Sequence, residues 1–410
     1  MVSQTTAFDH FEGHNGVHYT NDTLKLFGTH ECHSFRERIF DKHFRLSQAL
    51  RSNYDAIASN ESLVNADNNL RYIDDQLTVN GLSLLSTHDQ IIQAAENQAK
   101  YAGKLHASNG DTSAVYKLLA KCARAFRLTP PLPRDFQQKL EPCINRLCCV
   151  KWWSRQLTHL QRITIESVSR DIQQVHHHKS MYCSSLTLQL HRQQKNRNRE
   201  YLEAMTAINE NGQEFTLQQL SDVSVSNPKL RRLELITRCK GFEVAAKAAD
   251  HIALFITLTC PSRFHRVTKI TNGSKVIKVI PNKNFDGSCP REAQNYLQNQ
   301  WAKIGAKLKR NHIKPYGFRV AEPHYDGTPH WHFLLFIEKD KRDQLISIFT
   351  EYALQDSPNE KGAKQHRLKI EDIKSGINPK TGKEYSATGY IIKYICKNID
   401  GHGIDNSEIS

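Results

Sequence analysis

Long apolar runs are missing from this 410-residue chain. No stretch reaches the roughly 18 consecutive apolar residues that a membrane-spanning helix requires, so none of it is expected to span a membrane. The N-terminus, Met1-Val-Ser-Gln-Thr-Thr-Ala-Phe-Asp-His10, lacks the basic-then-apolar character of a secretory signal. The ten cysteines lack paired Cys-x-x-Cys spacing. Without a signal they read as reduced thiols of a cytoplasmic protein, not as a disulfide framework. Cys143, Cys148, Cys149, His176, His177, His178 and Cys183 are the nearest thing to a zinc set. They read better as buried thiols beside Trp152 and Trp153 with an exposed histidine cluster. No internal repeat or low-complexity tract is present, which excludes a solenoid or array.

Acidic residues are scarce in one region. Net charge is +14 and the sequence pI about 9.2. Residues 1–100 hold 8 Lys+Arg and 13 Asp+Glu, a net of −5 that leaves +19 for the rest. Residues 251–320 contain 13 basic residues and only two acidic ones, Asp286 and Glu292. A basic domain behind a mildly acidic leader points to a polyanion, with nucleic acid as the default partner. At this length two or three domains are expected.

Residues 1–30 look weakly structured. Helical patterns then dominate, with candidates at 34–57, 83–107, 113–127, 151–175, 184–208 and 227–248. The last has a clean start, with Ser226 or Asn227 as cap and Pro228 in the first turn. Thr129-Pro-Pro-Leu-Pro-Arg134 is a stiff break between helices. The stretch from Thr216 to Ala249 admits a helix-turn-helix or a plain helical bundle. After about residue 250 the texture changes. A β-rich run at 252–259 stops at Cys260-Pro261. A helix follows from Pro290 to about Asn311, then strands at 316–322 and 330–337, a helix at 340–354, a variable loop at 355–384 and a helix at 387–398. The expected fold class is α+β: a central antiparallel sheet preceded by a mainly α-helical N-terminal region. Expected domains are an N-terminal region at 1–110, a helical domain at 111–249 that is a candidate for DNA binding, and a sheet domain at 250–410.

The most informative stretch is Glu322-Pro-His-Tyr-Asp-Gly-Thr-Pro-His-Trp-His-Phe-Leu-Leu-Phe336. Asp326-Gly327 between two apolar runs is a hairpin signal. Side chains alternate along a strand, so His330 and His332 share one face and Trp331 takes the other. If positions summing to roughly 654 lie opposite one another, Glu322 and His324 join the two histidines on that face. This is a ligand set for a divalent metal at His330, His332 and Glu322, with His324 as a possible extra. Such mixed ligands suit Mn²⁺ and tolerate Mg²⁺, and ligand type alone does not exclude zinc. The bland alternative is an exposed or packed histidine pair.

Residues 387–398 contain Tyr390 and Tyr394, which stack on one helix face at i,i+4 spacing. Lys393 and Lys397 each follow a tyrosine by three residues. A phenol is a poor nucleophile at neutral pH, and a nearby ammonium favours its anion. The alternative is a helix burying two aromatics. Together, a metal-ligand strand, a tyrosine pair and a basic surface make a kit for cutting a phosphodiester by covalent catalysis. Candidate DNA contacts are Arg263, Lys307, Lys309, Arg310 and Arg319, with the basic helix segment 303–310 the strongest.

The chain resembles the replication gene A proteins of tailed phages, rolling-circle initiators of the His-hydrophobic-His (HUH) endonuclease superfamily. Phe255-Ile-Thr-Leu-Thr-Cys-Pro261 is similar to that superfamily's structural strand motif. Pro329-His330-Trp331-His332 is similar to its metal motif, with Glu322 where related enzymes often supply a third ligand. Tyr390-x-x-x-Tyr394 is similar to its two-tyrosine motif. Family-like wording also occurs at 151–157, 226–232, 290–294 and 315–323, so the resemblance covers about 115–401. It implies an HUH nuclease domain at 250–410. It further implies sequence-specific nicking and rejoining of one origin strand through a 5′-phosphotyrosine, leaving a 3′-OH primer. Implied partners are single-stranded or melted origin DNA and a host helicase and polymerase, in the bacterial cytoplasm. Family members continue beyond the tyrosine helix, so functions housed there do not belong to these residues. The competing readings are an HUH relaxase or transposase, and a DNA-binding protein without catalysis.

Overall fold

The computed structural model describes residues 28–133, 140–273, 275–374 and 385–399, with isolated positions at 376–377, 379 and 382. The weakly structured expectation for 1–30 and the expectation for Arg134 therefore fall largely outside the described residues. The chain divides into two compact units, Met1–Ile172 and Gln173–Ser410.

The first unit is helical. Its helices run His30–Lys42, Ser47–Asn60, Leu63–Leu77, His88–Ser108, Thr112–Ala125, Glu141–Leu147 and Val150–Asp171. The sequence reading merged the first two into one helix at 34–57, but the 3-10 turn Phe44–Leu46 breaks them apart. It also missed Leu63–Leu77 and Glu141–Leu147. Local capping explains several starts. Thr87 and Gln90 form a reciprocal capping box, and the Asp111 carboxylate accepts from the Ser113 and Ala114 amides. The core joins Ile91, Ala95, Leu119, Trp153 and Leu157. Cys143 lies in this unit as a buried thiol.

The second unit holds the sheet, and its main elements are numbered here. Helix α1 is Pro228–Ala248, with Asn227 as its cap. Strand β1 is Ile252–Thr259. A separate ribbon follows, β2 (Val267–Asn272) and β3 (Lys275–Pro281). Helix α2 is Pro290–Arg310, strand β4 Tyr316–Pro323, strand β5 Pro329–Ile337, helix α3 Arg342–Ala353, strand β6 Leu368–Asp372 and helix α4 Ala387–Ile399. The four-stranded sheet has the order β6-β1-β5-β4 and is antiparallel throughout. The architecture is mixed helix and sheet, as the α+β expectation held. Two elements corrected the sequence reading: β6 lies inside the expected loop 355–384, and Thr206–Ile208 is a strand inside the expected helix 184–208. The latter ends the helix because β-branched residues there lead into Asn211-Gly212, where Gly212 has φ +76.

Strand β5 lies in the interior of the sheet and is buried from His330 to Ile337. Its alternation sorts the two faces. Trp331, Phe333, Leu335 and Ile337 join Leu254, Ile256 and Leu258 of β1 against α2 and α3. Leu334 and Phe336 join Phe255 against Cys239 and Ala246 of α1 and Ala387, Ile391 and Ile395 of α4. Full burial of each large apolar side chain contributes roughly 1.5–3 kcal/mol. Helix α1 thus packs on the sheet within the second unit. Val150–Asp171 packs with His88–Ser108 in the first unit instead.

Strand β4 approaches β5 closely at Gly317, where φ is +145. A Cβ there would lie 2.0 Å from the Leu334 carbonyl oxygen. Gly317→Ala is expected to destabilise the fold by roughly 2–4 kcal/mol through strain and backbone displacement. Thermal and denaturant unfolding check this; unaltered stability would contradict the close approach.

Candidate metal centre and active site

The β4–β5 hairpin sets Glu322 opposite His330 and Val320 opposite His332. Opposed positions therefore sum to 652, two fewer than the sequence reading assumed. An even shift preserves the face, so the carboxylate and both imidazoles still meet. The turn is a five-residue loop, 324–328. The His324 amide donates to the Thr328 carbonyl at 2.7 Å, the Thr328 amide to Asp326 Oδ1 at 3.0 Å, and Gly327 has φ +80.

Glu322 Oε2 lies 3.1 Å from His332 Nε2 and 3.6 Å from His330 Nε2. One ligand atom from each of the three lies within 4.8 Å of the others, the one such group among the described residues. His332 Nδ1 is 2.9 Å from the Thr257 hydroxyl on β1, which fixes the ring with Nε2 toward Glu322. That register, His332 against Thr257, comes from the β1–β5 pairing. His324 stacks on His330 with ring centres 4.0 Å apart but adds no atom to the ligand group. The His324 Nε2 and His330 Nδ1 atoms are buried without hydrogen-bond partners. The donor set and its burial fit a divalent cation.

Charge in the site follows from burial. Burial, with His332 and His265 adding repulsion, holds His330 down at about 4, and it is neutral at pH 7. Burial pushes the Glu322 carboxyl up, but the His332 hydrogen bond and the Lys397 charge outweigh it, leaving it below the usual range. Burial likewise opposes the Asp326 carboxylate, and the His265 hydrogen bond, 3.0 Å from Nδ1 to Oδ2, more than compensates.

Helix α4 crosses the same face. The Tyr394 ring stacks on His332 with centres 3.9 Å apart, and Phe255 packs against both tyrosines at 5.8 and 5.9 Å. Lys397 Nζ is 3.3 Å from Glu322 Oε1, and Lys393 Nζ lies 4.7 Å over the Tyr394 ring. The helix start is held by Glu243 of α1. Its carboxylate accepts from the Ala387 amide at 2.9 Å and from the Ser386 and Thr388 hydroxyls at 2.9 Å each. A carboxylate there satisfies orphan amides and suits the positive end of the helix dipole.

The structure thus brings together His330, His332, Glu322, Tyr390, Tyr394, Lys393 and Lys397. It does not bring the five candidate DNA contacts to that face. Arg319 lies over Trp331 at 3.9 Å, on the opposite side of the sheet. Lys307, Lys309 and Arg310 end α2, which packs on that opposite side. Arg263 is ion-paired to Asp286 at 2.5 Å and Asp356 at 3.0 Å. Sequence reasoning missed Thr257 and Glu243. The Thr257 role follows only from strand pairing, and that of Glu243 from a contact 144 residues apart in sequence.

Because the folded state binds fewer protons at His330 than the unfolded chain, stability should rise with pH between about 4 and 6.5. In the metal-free protein the contribution lost on acidification is up to about 3 kcal/mol. Denaturant unfolding across that window should show the slope, flattened in His330→Gln. An identical slope in the variant would contradict the burial assigned to this imidazole.

Comparison with known proteins follows the same lines. Residues 84–402 match the model of the bacteriophage replication gene A protein family. The chain is 39% identical over 270 residues to the replication protein of Haemophilus phage HP1, covering 65% of this chain and 32% of that protein. It is 33% identical over 299 residues to the replication gene A protein of Escherichia phage P2, covering 71% and 38%. It is also 33% identical over 282 residues to a probable replication endonuclease from a prophage-like region of Salmonella typhimurium, covering 68% and 33%. The chain spans about a third to two fifths of the length of these relatives. No solved structure matches it. With the match extending over most of its length, the chain belongs to the bacteriophage replication gene A protein family.

Proposed function

We propose that this chain nicks and rejoins one strand of origin DNA to initiate rolling-circle replication, by the chemistry of HUH endonucleases. One observation carries the reading: a tyrosine stacked at 3.9 Å on an imidazole of a partly buried two-histidine, one-carboxylate cluster, with a second tyrosine one helical turn earlier. The family supports replication as the setting, and the name of the Salmonella typhimurium relative, a probable replication endonuclease, supports nicking.

His330, His332 and Glu322 are the residues that would hold Mg²⁺ or Mn²⁺. Such a cation, when bound, withdraws charge from a phosphodiester and orients it for in-line attack. The remaining roles belong to the chain. Thr257 orients His332. Phe255 and His332 fix the Tyr394 ring, and Glu243 fixes the helix that carries both tyrosines. The tyrosine oxygen attacks phosphorus, an O–P bond forms, and the bond to the 3′ oxygen breaks. The phenolic proton is lost and the departing 3′ oxygen gains one, so the strand ends as a 3′-hydroxyl and a 5′-phosphotyrosine. Lys393, over the Tyr394 ring, and Lys397, against Glu322, would supply positive charge to the phenolate and the phosphate. Two phenols about 6 Å apart along one helix face can address one phosphate site in turn, which permits a second transfer that rejoins the strand. Single-stranded or melted origin DNA is the substrate. In the bacterial cytoplasm a host polymerase would extend the 3′-hydroxyl while a host helicase unwinds the duplex ahead of it.

The test is Mn²⁺-dependent nicking of a supercoiled plasmid carrying DNA from the element that encodes the chain. Tyr390→Phe and Tyr394→Phe should each impair adduct formation or strand transfer, and the double variant should form no covalent DNA adduct on a denaturing gel. An adduct in the double variant would sink the proposal. His330→Ala and His332→Ala should abolish nicking with circular dichroism unchanged. Thr257→Val should weaken Mn²⁺ binding about 10–100-fold by calorimetry; full affinity would remove Thr257 from its positioning role.

A further inference from the structure

The ribbon β2–β3 pairs with neither edge of the sheet. From His265 to Phe285 the chain contains five basic residues, Arg266, Lys269, Lys275, Lys278 and Lys283, and no acidic one. Thr268–Gly273, Lys275, Ile277 and Lys278 are exposed. Ile270 and Ile277 are left 44% and 58% exposed, far more than a strand packed on a core would allow. An isolated hairpin of this kind gains little from its own pairing. Its chemistry therefore points outward.

Its base is not loose. The Asn282 amide side chain donates to the Ser262 and His265 carbonyls at 2.8 and 2.7 Å, closing the ribbon's root. His265 is tied to Asp326 in the β4–β5 turn, and Lys269 Nζ sits 3.6 Å over the Tyr325 ring in the same turn. His324, also in that turn, stacks on the His330 ring. The ribbon is thus a rigidly rooted arm leaving the metal end of the sheet.

We infer that this ribbon is a duplex-binding arm that lies in a groove of the double-stranded DNA flanking the nick site. The inference rests on the nuclease reading for the identity of the polymer. Size and charge support it. Six paired residues at about 3.3 Å each give an arm of about 20 Å, close to six base pairs of duplex. A major groove about 12 Å wide admits a two-stranded ribbon. The register shift between Ile270 and Thr271 increases local twist, which suits a helical groove. Lys275 pairs with Asn272 and Lys278 with Ile270; positions 270 and 272 share a face, so the register shift brings both lysines to one face of the ribbon, toward the phosphates of one groove wall. The exposed isoleucines can meet thymine methyl groups. A protein partner is the weaker match, because interface cores are depleted in lysine.

The test compares the unmodified chain with the Lys275→Ala, Lys278→Ala double variant and its Lys→Arg counterpart. Fluorescence anisotropy is measured on a short mixed-sequence duplex and on oligothymidylate of the same length, across a salt series. The alanine variant should lose about tenfold in duplex affinity, with a salt slope shallower by about two. Oligothymidylate binding should change less than about twofold, and the arginine variant should bind duplex normally. Equal loss on both polymers, no loss on duplex, or an unmodified chain that does not bind duplex would overturn the inference. The nuclease reading is scored separately by the covalent adduct on supercoiled plasmid. A normal adduct together with unchanged duplex binding in the alanine variant defeats the arm alone.

Discussion

Everything at the candidate site depends on one cross-strand meeting, Glu322 against His330 and His332 on the buried face of β5. A carboxylate and two imidazoles removed from water are costly unless each finds a partner. Here each largely does: the carboxylate faces both rings and Lys397, and His332 is held by Thr257. A slip of one residue would turn both histidines toward the apolar layer and Trp331 toward the tyrosines. The aromatic side of the strand guards against that slip, since Trp331 is 1% exposed and its indole donates to Gln294. Folding stability and site geometry are thus specified by the same register.

The second consequence concerns charge. Burial keeps His330 neutral, which is the protonation state a metal ligand requires. Lys397 then provides the cation that Glu322 faces in the structure, on the same helix as the tyrosines. Cation, carboxylate and phenols are consequently linked through one rigid element. Glu243 holds that element by its first turn, from a helix packed on the same face. The stack of Phe255, His332 and Tyr394 removes rotamer freedom from the aromatic side chains nearest the site, a form of preorganisation.

Much of this was legible in the residues. Alternation in Pro329-His-Trp-His was enough to assign His330 and His332 to one face and Trp331 to the other. The Asp326-Gly327 signal located the hairpin, although a five-residue loop shifted the register by two. Helix α4 and its tyrosine pair followed from i,i+4 spacing. What the residues did not reveal depended on distant chain. Thr257 acquires its role from pairing with β5, and Glu243 from packing against α4. Strand β6 hid in a polar loop because its pairing with β1 supplies what its sequence lacks. The basic residues were the least legible. Their charge suggested DNA, but pairing with Asp286 and Asp356 occupies Arg263, stacking on Trp331 occupies Arg319, and α2 carries the other three on the far side of the sheet.

Anomalous diffraction from crystals soaked in Mn²⁺ tests the central claim most directly. A single strong peak is expected between His330 Nε2, His332 Nε2 and the Glu322 carboxylate, with Lys397 moved off Glu322 and the Tyr394 ring still stacked on His332. Manganese bound elsewhere, with Lys397 remaining against Glu322, would contradict it.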